Sequence, residues 1–214
     1  MKTALITIGA TREYIDPVRY ISNESSGLQG MAIIEQLIKN KIKTTCLYGD
    51  ISAEKITSPY IKYIKVANAK DMLREAKKYS DVDLAIFNAA VSDYRIKKVS
   101  LTKIKKKENT SLDLIKNPDI LLSISSMKKR PKIVVGFAYE TNNYKMHAKK
   151  KLIDKNCDYL VLNFPLKNNK IFSNNRNNGH ILDRNLKWTN IGNLSKKSFA
   201  KKIIQHIITN TYDC

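Results

Sequence analysis

The sequence predicts an α/β protein with a Rossmann-like three-layer fold: a mostly parallel central sheet flanked by helices, plus a small C-terminal β-hairpin and helix. Three observations predict it. Short apolar runs alternate, along most of the chain, with longer segments whose apolar residues recur at helical spacing. Strand–helix–strand order is satisfied by parallel strands with helical crossovers, because each crossover buries one face of the sheet. The 214 residues, 43% of them hydrophobic, suffice for one sizeable core, so residues 1–214 are read as a single domain.

Residues 4–8 read as a buried strand, ending in the turn Gly9-Ala10-Thr11. A long polar connection over 12–25 precedes a helix over 27–40, in which Leu28, Met31, Ala32, Ile34, Leu37 and Ile38 fall on one face. Ser25 or Ser26 is expected to cap it. Strands are expected at 43–48 and 61–66, a helix at 69–79, and a strand at 84–87 that runs into Asn88-Ala89-Ala90. A lysine-rich stretch and the alternating segment 111–114 follow, and residues 97–109 are expected to form a mobile flap. Pro118 suits the first turn of the next helix, where the N–H it lacks would be unpaired anyway. Strands at 133–137 and 159–162 enclose a helix over about 144–155. After an Asn-rich loop at 168–179, residues 180–182 and 187–189 flank a hairpin turn, and Ser195 caps a last helix ending near Ile208. Ligands of such sheets gather at the carboxyl ends of the strands, here Gly9, Asn88, Phe137 and Asn163.

The net charge of +20 admits three readings: nucleic-acid binding, a field that attracts small polyanions, or a solvated lysine surface in a chain also rich in Asn and Ile. A nucleic-acid module would interleave aromatics with basic residues on one face, whereas the 8% aromatic content is mostly scattered Tyr. A Rossmann-type oxidoreductase would need a full G-x-G-x-x-G, which is absent, as is a Walker loop. No apolar run nears the roughly 20 residues that span a bilayer, and the N-terminus lacks a signal-peptide cleavage site, so a cytoplasmic protein is expected. Cys46, Cys157 and Cys214 lie far apart, which argues against a zinc site or disulfides, and no metal-ligating side chain is assigned.

Taken alone, the candidate residues stay ambiguous. Ser25, Ser26 and Gly27 before a helix suit an anion, with Arg19 and Asn23 just upstream, but they equally describe an ordinary capped helix. The lysines of 103–107 read by themselves as a solvated run, and Asp93 as a turn residue or an acceptor for a diol. Phe137 is a stacking platform or core, while Lys151 and Lys155 share a helix face suited to phosphate or to solvent.

Six ordered blocks from Gly9 to about Asn163 give these residues a context. The segment after the first strand, Gly9-Ala10-Thr11-Arg12-Glu13-Tyr14-Ile15-Asp16-Pro17-Val18-Arg19-Tyr20-Ile21-Ser22-Asn23-Glu24-Ser25-Ser26-Gly27, resembles the signature of the phosphopantothenate–cysteine ligase family. The blocks beginning at Asn88, Lys103, Leu112, Val135 and Lys151 resemble further motifs of that family, in order. The resemblance implies a ligase joining 4′-phosphopantothenate to L-cysteine through an acyl-CMP intermediate, on the route to coenzyme A. It implies CTP with Mg2+, ATP being used by some relatives. Carried over by position, Asn23, Arg19 and Lys103 would be catalytic. Phe87, Asn88, Ala89, Asp93, Lys103, Pro118, Asp119, Ile120, Leu121, Phe137, Lys151 and Lys155 would bind nucleotide. Ser25, Ser26 and Gly27 would meet the substrate phosphate. A homodimer is implied, with its contact at the hairpin near Trp188 or at the lysine-rich stretch. No flavin, no membrane and no nucleic-acid partner are expected. The chain begins at the ligase's first strand, so the fused decarboxylase domain of many members is expected to be a separate protein. The sequence departs from the family at Ala10, Leu28, Gln29 and Phe164.

Overall fold

The computed structural model describes residues 1–106, 111–165 and 176–211. Its core is an eight-stranded sheet. Six strands are parallel: β1 (Thr3–Ile8), β4 (Lys43–Tyr48), β5 (Ile61–Lys65), β6 (Leu84–Phe87), β9 (Ile133–Tyr139) and β10 (Tyr159–Asn163). β11 (Arg176–Asp183) and β12 (Trp188–Ser195) extend it antiparallel, so the full order is β12-β11-β10-β9-β6-β1-β4-β5. The parallel part is doubly wound, and the order reverses between β1 and β6, which opens a crevice at the carboxyl ends of those strands.

The central strands are apolar on both faces because helices cover both. Ala4, Ile6 and Ile8 of β1 pack with α1 (Leu28–Lys39) and α5 (Lys196–Thr211). Leu5, Ala85 and Val134 face the other way, toward α2 (Ala69–Lys78), α3 (Ile120–Ser125) and α4 (Tyr144–Asp154). The helices start on local signals. Asn68 accepts from the Asp71 N–H at 2.9 Å, Asp119 from the Leu122 N–H at 2.8 Å, and Ser195 from the Ser198 N–H at 3.2 Å. The C-terminal hairpin turns on Asp183, whose side chain accepts from the N–H groups of Asn185 and Lys187. No helix of the described residues is long and apolar enough to cross a membrane.

Four expectations are corrected. Residues 12–25 are not a plain connection: β2 (Arg12–Asp16) and β3 (Arg19–Ser22) form a hairpin. Neither Ser25 nor Ser26 caps α1. Gly27 does, in the left-handed region at φ 76, while the Ser26 carbonyl accepts from the N–H groups of Ser52 and Ala53. Pro118 precedes the helix, because Asp119 is the cap of α3. β7 (Tyr94–Ile96) and β8 (Leu114–Lys116) form a second hairpin, where only alternation at 111–114 was expected. Residues 107–109 of the expected flap, and 168–175 of the expected loop, lie outside the described residues.

One close approach sets how α1 sits on the sheet. A Cβ added at Gly30 would lie 2.2 Å from Cγ2 of Ile8, on β1. Gly30→Ala should therefore force α1 off β1 and cost about 1–3 kcal/mol, an overpacking penalty. A urea midpoint unchanged from the parent would contradict that packing.

Candidate active site

Apart from a cavity of about 470 Å³ between the edge strand β5 and α2, two neighbouring clefts open at the carboxyl ends of the central strands. The larger, about 460 Å³, is floored by Thr7, Phe87 and Phe137 at the ends of β1, β6 and β9. Ala89, Val91, Ser92, Asp93 and Tyr94 form one side, Lys116 to Leu121 another, and Lys151 and Lys155 of α4 the third. The smaller, about 90 Å³, has room for a phosphate-sized group rather than a nucleotide. Its walls are Ser25, Ser26, Gly27, Leu28 and Gln29 at the start of α1, with Asn88, Ala90, Asn163, Asn177 and Lys196.

Residues 88–91 are the wall between them. The segment continues β6 in extended form, held by Asn88 N–H to the Thr7 carbonyl (3.1 Å), Ala90 N–H to the Gly9 carbonyl (2.8 Å) and Thr11 N–H to the Ala90 carbonyl (3.3 Å). Successive side chains of an extended segment point to opposite sides. Ala89 and Val91 accordingly line the larger cleft, and Asn88 and Ala90 the smaller. Asn88 is thus separated from Phe87 and Ala89, with which the sequence grouped it.

The wall is tied down on both sides. Asn23 donates from Nδ2 to the Val91 carbonyl at 3.0 Å, which brings the loop after β3 to the divide. The Asp93 carbonyl accepts from the Asn117 N–H at 2.8 Å, and Asn117 Nδ2 donates to the Ser92 carbonyl at 2.8 Å. Of the other expected residues, Pro118, Asp119, Ile120 and Leu121 line the larger cleft with Lys151 and Lys155, and Ser25 to Gly27 line the smaller. Arg19, Asn23 and Lys103 line neither. Arg19 is paired with Asp16 and donates to the Ile104 carbonyl at 2.9 Å, and Lys103 is exposed.

Sequence reasoning missed several lining residues. Lys116 and Asn117 fall inside a motif block and were within reach of it. Asn163 was named only as a strand end, while Gln29, Asn177 and Lys196 come from three further elements and no local signal marked them as lining a cleft. Three buried polar atoms in this smaller cleft, Gln29 Nε2, Asn163 Oδ1 and Asn177 Oδ1, have no hydrogen-bond partner among the described residues. Buried polar groups are rarely left so.

The electrostatics favour an anion in the larger cleft. Lys155 pairs with Asp119, whose other oxygen caps α3. Burial lowers the pKa of the Lys151 ammonium, and Lys155 lowers it further, while Glu140 and Asp119 oppose the shift. A polyphosphate would restore the charge that burial disfavours. The described residues hold no group of three or more His, Cys, Asp or Glu side chains that could cage a metal.

Fold and site together define a doubly wound α/β domain with a lysine-lined ligand cleft at its switch point. The family model for the DNA/pantothenate metabolism flavoprotein C-terminal domain matches residues 1–211, and the chain belongs to that family. It is 34% identical over 219 residues to the coenzyme A biosynthesis bifunctional protein CoaBC of Escherichia coli (strain K12), covering 98% of this chain and 52% of that protein. With the protein of the same name from Haemophilus influenzae, identity is 44% over 162 residues, covering 74% of this chain and 40% of the relative. The chain thus spans about half the length of such relatives, or less. The crystal structure of the C-terminal domain of a CoaBC protein superposes with a TM-score of 0.82 at 31% identity, covering 100% of this chain and 97% of that one. The resemblance to the phosphopantothenate–cysteine ligase family therefore holds.

The depressed Lys151 pKa has a testable sign. Its charge is lost at lower pH than that of an exposed lysine, so affinity for a polyphosphate probe should begin to fall, as pH rises, before exposed lysines lose their charge. Lys151→Arg should flatten that dependence, as read by equilibrium dialysis. An equal slope in parent and variant would contradict the assignment.

Proposed function

We propose that the chain is a ligase that joins 4′-phosphopantothenate to L-cysteine to give 4′-phosphopantothenoylcysteine. The observation that carries the reading is the pair of clefts divided by residues 88–91, with Asn23 bonded to the divide, in a member of the pantothenate-metabolism family.

On this reading the larger cleft takes the nucleotide: CTP by family resemblance, with ATP as the alternative. Phe87, Ala89 and Phe137 pack against the base, and Asp93 accepts from the ribose hydroxyls. Lys116, Lys151 and Lys155 oppose the triphosphate, joined by Lys103 from its neighbouring segment. Magnesium accompanies the triphosphate. The smaller cleft takes the phosphate end of phosphopantothenate, against Ser25, Ser26, the N-terminus of α1 and Lys196. Gln29, Asn163 and Asn177 offer the unpaired amide atoms to its polar chain. The substrate carboxylate then reaches the wall.

There an oxygen of that carboxylate attacks the α-phosphorus, pyrophosphate leaves, and acyl-CMP forms. The neutral amine of cysteine attacks the acyl carbon, CMP leaves, the amine loses a proton, and the amide results. A carboxylate acylates poorly until its oxygen becomes part of a good leaving group, which the nucleotide provides. The protein's task is alignment and charge compensation. The bond to Val91 uses one amide proton of Asn23, so its remaining N–H and its carbonyl oxygen can hold the acyl-nucleotide. Arg19 lies at the opposite end of β3, at the hairpin turn, paired with Asp16.

The homodimer belongs to the same proposal. The exposed apolar side chains concentrate on the two hairpins and the segment between them, at Val18, Tyr20, Tyr94, Val99, Leu101 and Leu114. A second copy would cover that face. The hairpin near Trp188, where that side chain is half-buried, is the alternative contact.

Pyrophosphate release with phosphopantothenate and each nucleotide, with and without cysteine, tests the reading. CTP should support release that CMP formation follows. Lys103→Ala should slow acyl-CMP formation on the order of 100-fold, the usual cost of losing one charge-stabilising donor. Asn23→Ala should keep a pyrophosphate burst and slow amide formation by a similar factor. Turnover equal to the parent in both variants would contradict these roles.

A further inference from the structure

The segment carrying Lys103 is irregular and mostly exposed over residues 97–106, yet it is docked at defined points. The Ser100 N–H donates to the Ile15 carbonyl at 3.0 Å. The Ile104 N–H donates to Asp16 Oδ2 at 3.1 Å, and the Ile104 carbonyl accepts from Arg19 at 2.9 Å. All three bonds reach the β2–β3 hairpin, 85–88 residues earlier in the chain. The ion pair Asp16–Arg19 thus holds one peptide unit on each side of Ile104, one residue after Lys103.

Asp16 is fully buried within this arrangement. Its Oδ1 accepts from the N–H groups of Val18 and Arg19, at 2.9 and 3.0 Å, and closes the hairpin turn. Its Oδ2 accepts from Arg19 Nε at 2.9 Å, from the Arg19 terminal amine and from Ile104. The two oxygens therefore do different work: one shapes the turn, the other clamps a distant segment. Arg19 keeps this carboxyl well below the usual carboxylate range, so the clamp stays charged at neutral pH.

We propose that Asp16 is a positioning residue for the nucleotide-activating step: its Oδ2 fixes the guanidinium of Arg19 and docks the Lys103 segment on the β2–β3 hairpin. The role of Lys103 in that step rests on the function proposed above; the clamp itself does not. A carboxylate suits the place because both of its partners are donors. A carboxamide could still close the turn with its oxygen, but its N–H groups would then face the N–H groups of Arg19 and Ile104.

Two variants of the full chain, each read three ways, test this. Asp16→Asn removes the clamp and keeps an acceptor for the turn. Ile104→Pro removes the donor to Oδ2 without changing a hairpin residue, though it also fixes the backbone at 104 and restricts that of Lys103. In both, tryptic cleavage after Lys105 and Lys106 should quicken about tenfold or more, as expected when docking bonds are lost locally. The urea midpoint should fall in Asp16→Asn, which loses a fully buried carboxylate, and stay nearer the parent's in Ile104→Pro, where the cleavage and release effects must therefore exceed any stability change. The kcat for pyrophosphate release should fall by about the same factor, with a smaller change in KM for cysteine. Cleavage and release unchanged in both variants would overturn the proposal. So would changes that merely track a lower unfolding midpoint. If the parent releases no pyrophosphate with any nucleotide, the ligase reading fails, while the cleavage arm still decides whether the clamp exists.

Discussion

The site depends on the backbone of residues 88–91 being held extended between the turn after β1 and the strand end of β6. Its hydrogen bonds to Thr7, Gly9 and Thr11 leave it no freedom to coil, and the two-residue alternation of an extended chain then sorts its side chains to opposite sides. One cleft becomes two neighbouring ones with a shared wall. The doubly wound order makes this possible, because the reversal between β1 and β6 leaves the space above their ends free of a crossover helix. Small residues at the wall suit the crowding: Ala89 and Ala90 add little bulk. Gly49 permits close approach on the far side of Ala10, whose carbonyl oxygen would lie 2.1 Å from a Cβ there.

The parallel sheet was legible in the sequence because strands buried on both faces must be continuously apolar, and residues 4–8, 84–87 and 133–137 show that directly. The β2–β3 hairpin was not legible, for a physical reason. Its inward positions are Glu13 and Asp16, not hydrophobes. Glu13 accepts from the Ala69 N–H at the start of α2, and Asp16 from Arg19 and Ile104. Buried carboxylates satisfied by distant donors invert the pattern that a periodicity argument reads. The start of α1 was misread for a related reason. The left-handed turn at Gly27 puts the glycine rather than Ser25 or Ser26 at the cap, with Ser26 Oγ reaching only the Leu28 N–H at 3.5 Å, and only tertiary packing against Ile51 shows that turn is required.

Site residues within motif blocks were nameable from the sequence, but their grouping was not. Asn88 belongs to the smaller cleft because of pleat direction, which no motif states. Asn177 and Lys196 are supplied by β11 and by the first residue of α5. They join Gln29 only because the antiparallel hairpin folds back beside α1, where Asn177 Nδ2 donates to Gln29 Oε1 at 2.7 Å. Charge gave an unspecific hint. Of the 39 lysines and arginines, those that line the clefts share no common mark: Lys116 is exposed, Lys196 is buried, and Lys155 is paired with Asp119.

The central claim is that a carboxylate from one cleft meets the α-phosphorus of a nucleotide in the other at the wall between them. Phosphopantothenate with both carboxylate oxygens replaced by the heavy isotope tests it in a single turnover read by mass spectrometry. The account predicts one heavy oxygen in CMP, one in the amide carbonyl and none in pyrophosphate. Heavy oxygen in pyrophosphate or free phosphate, or CMP without label, would contradict it.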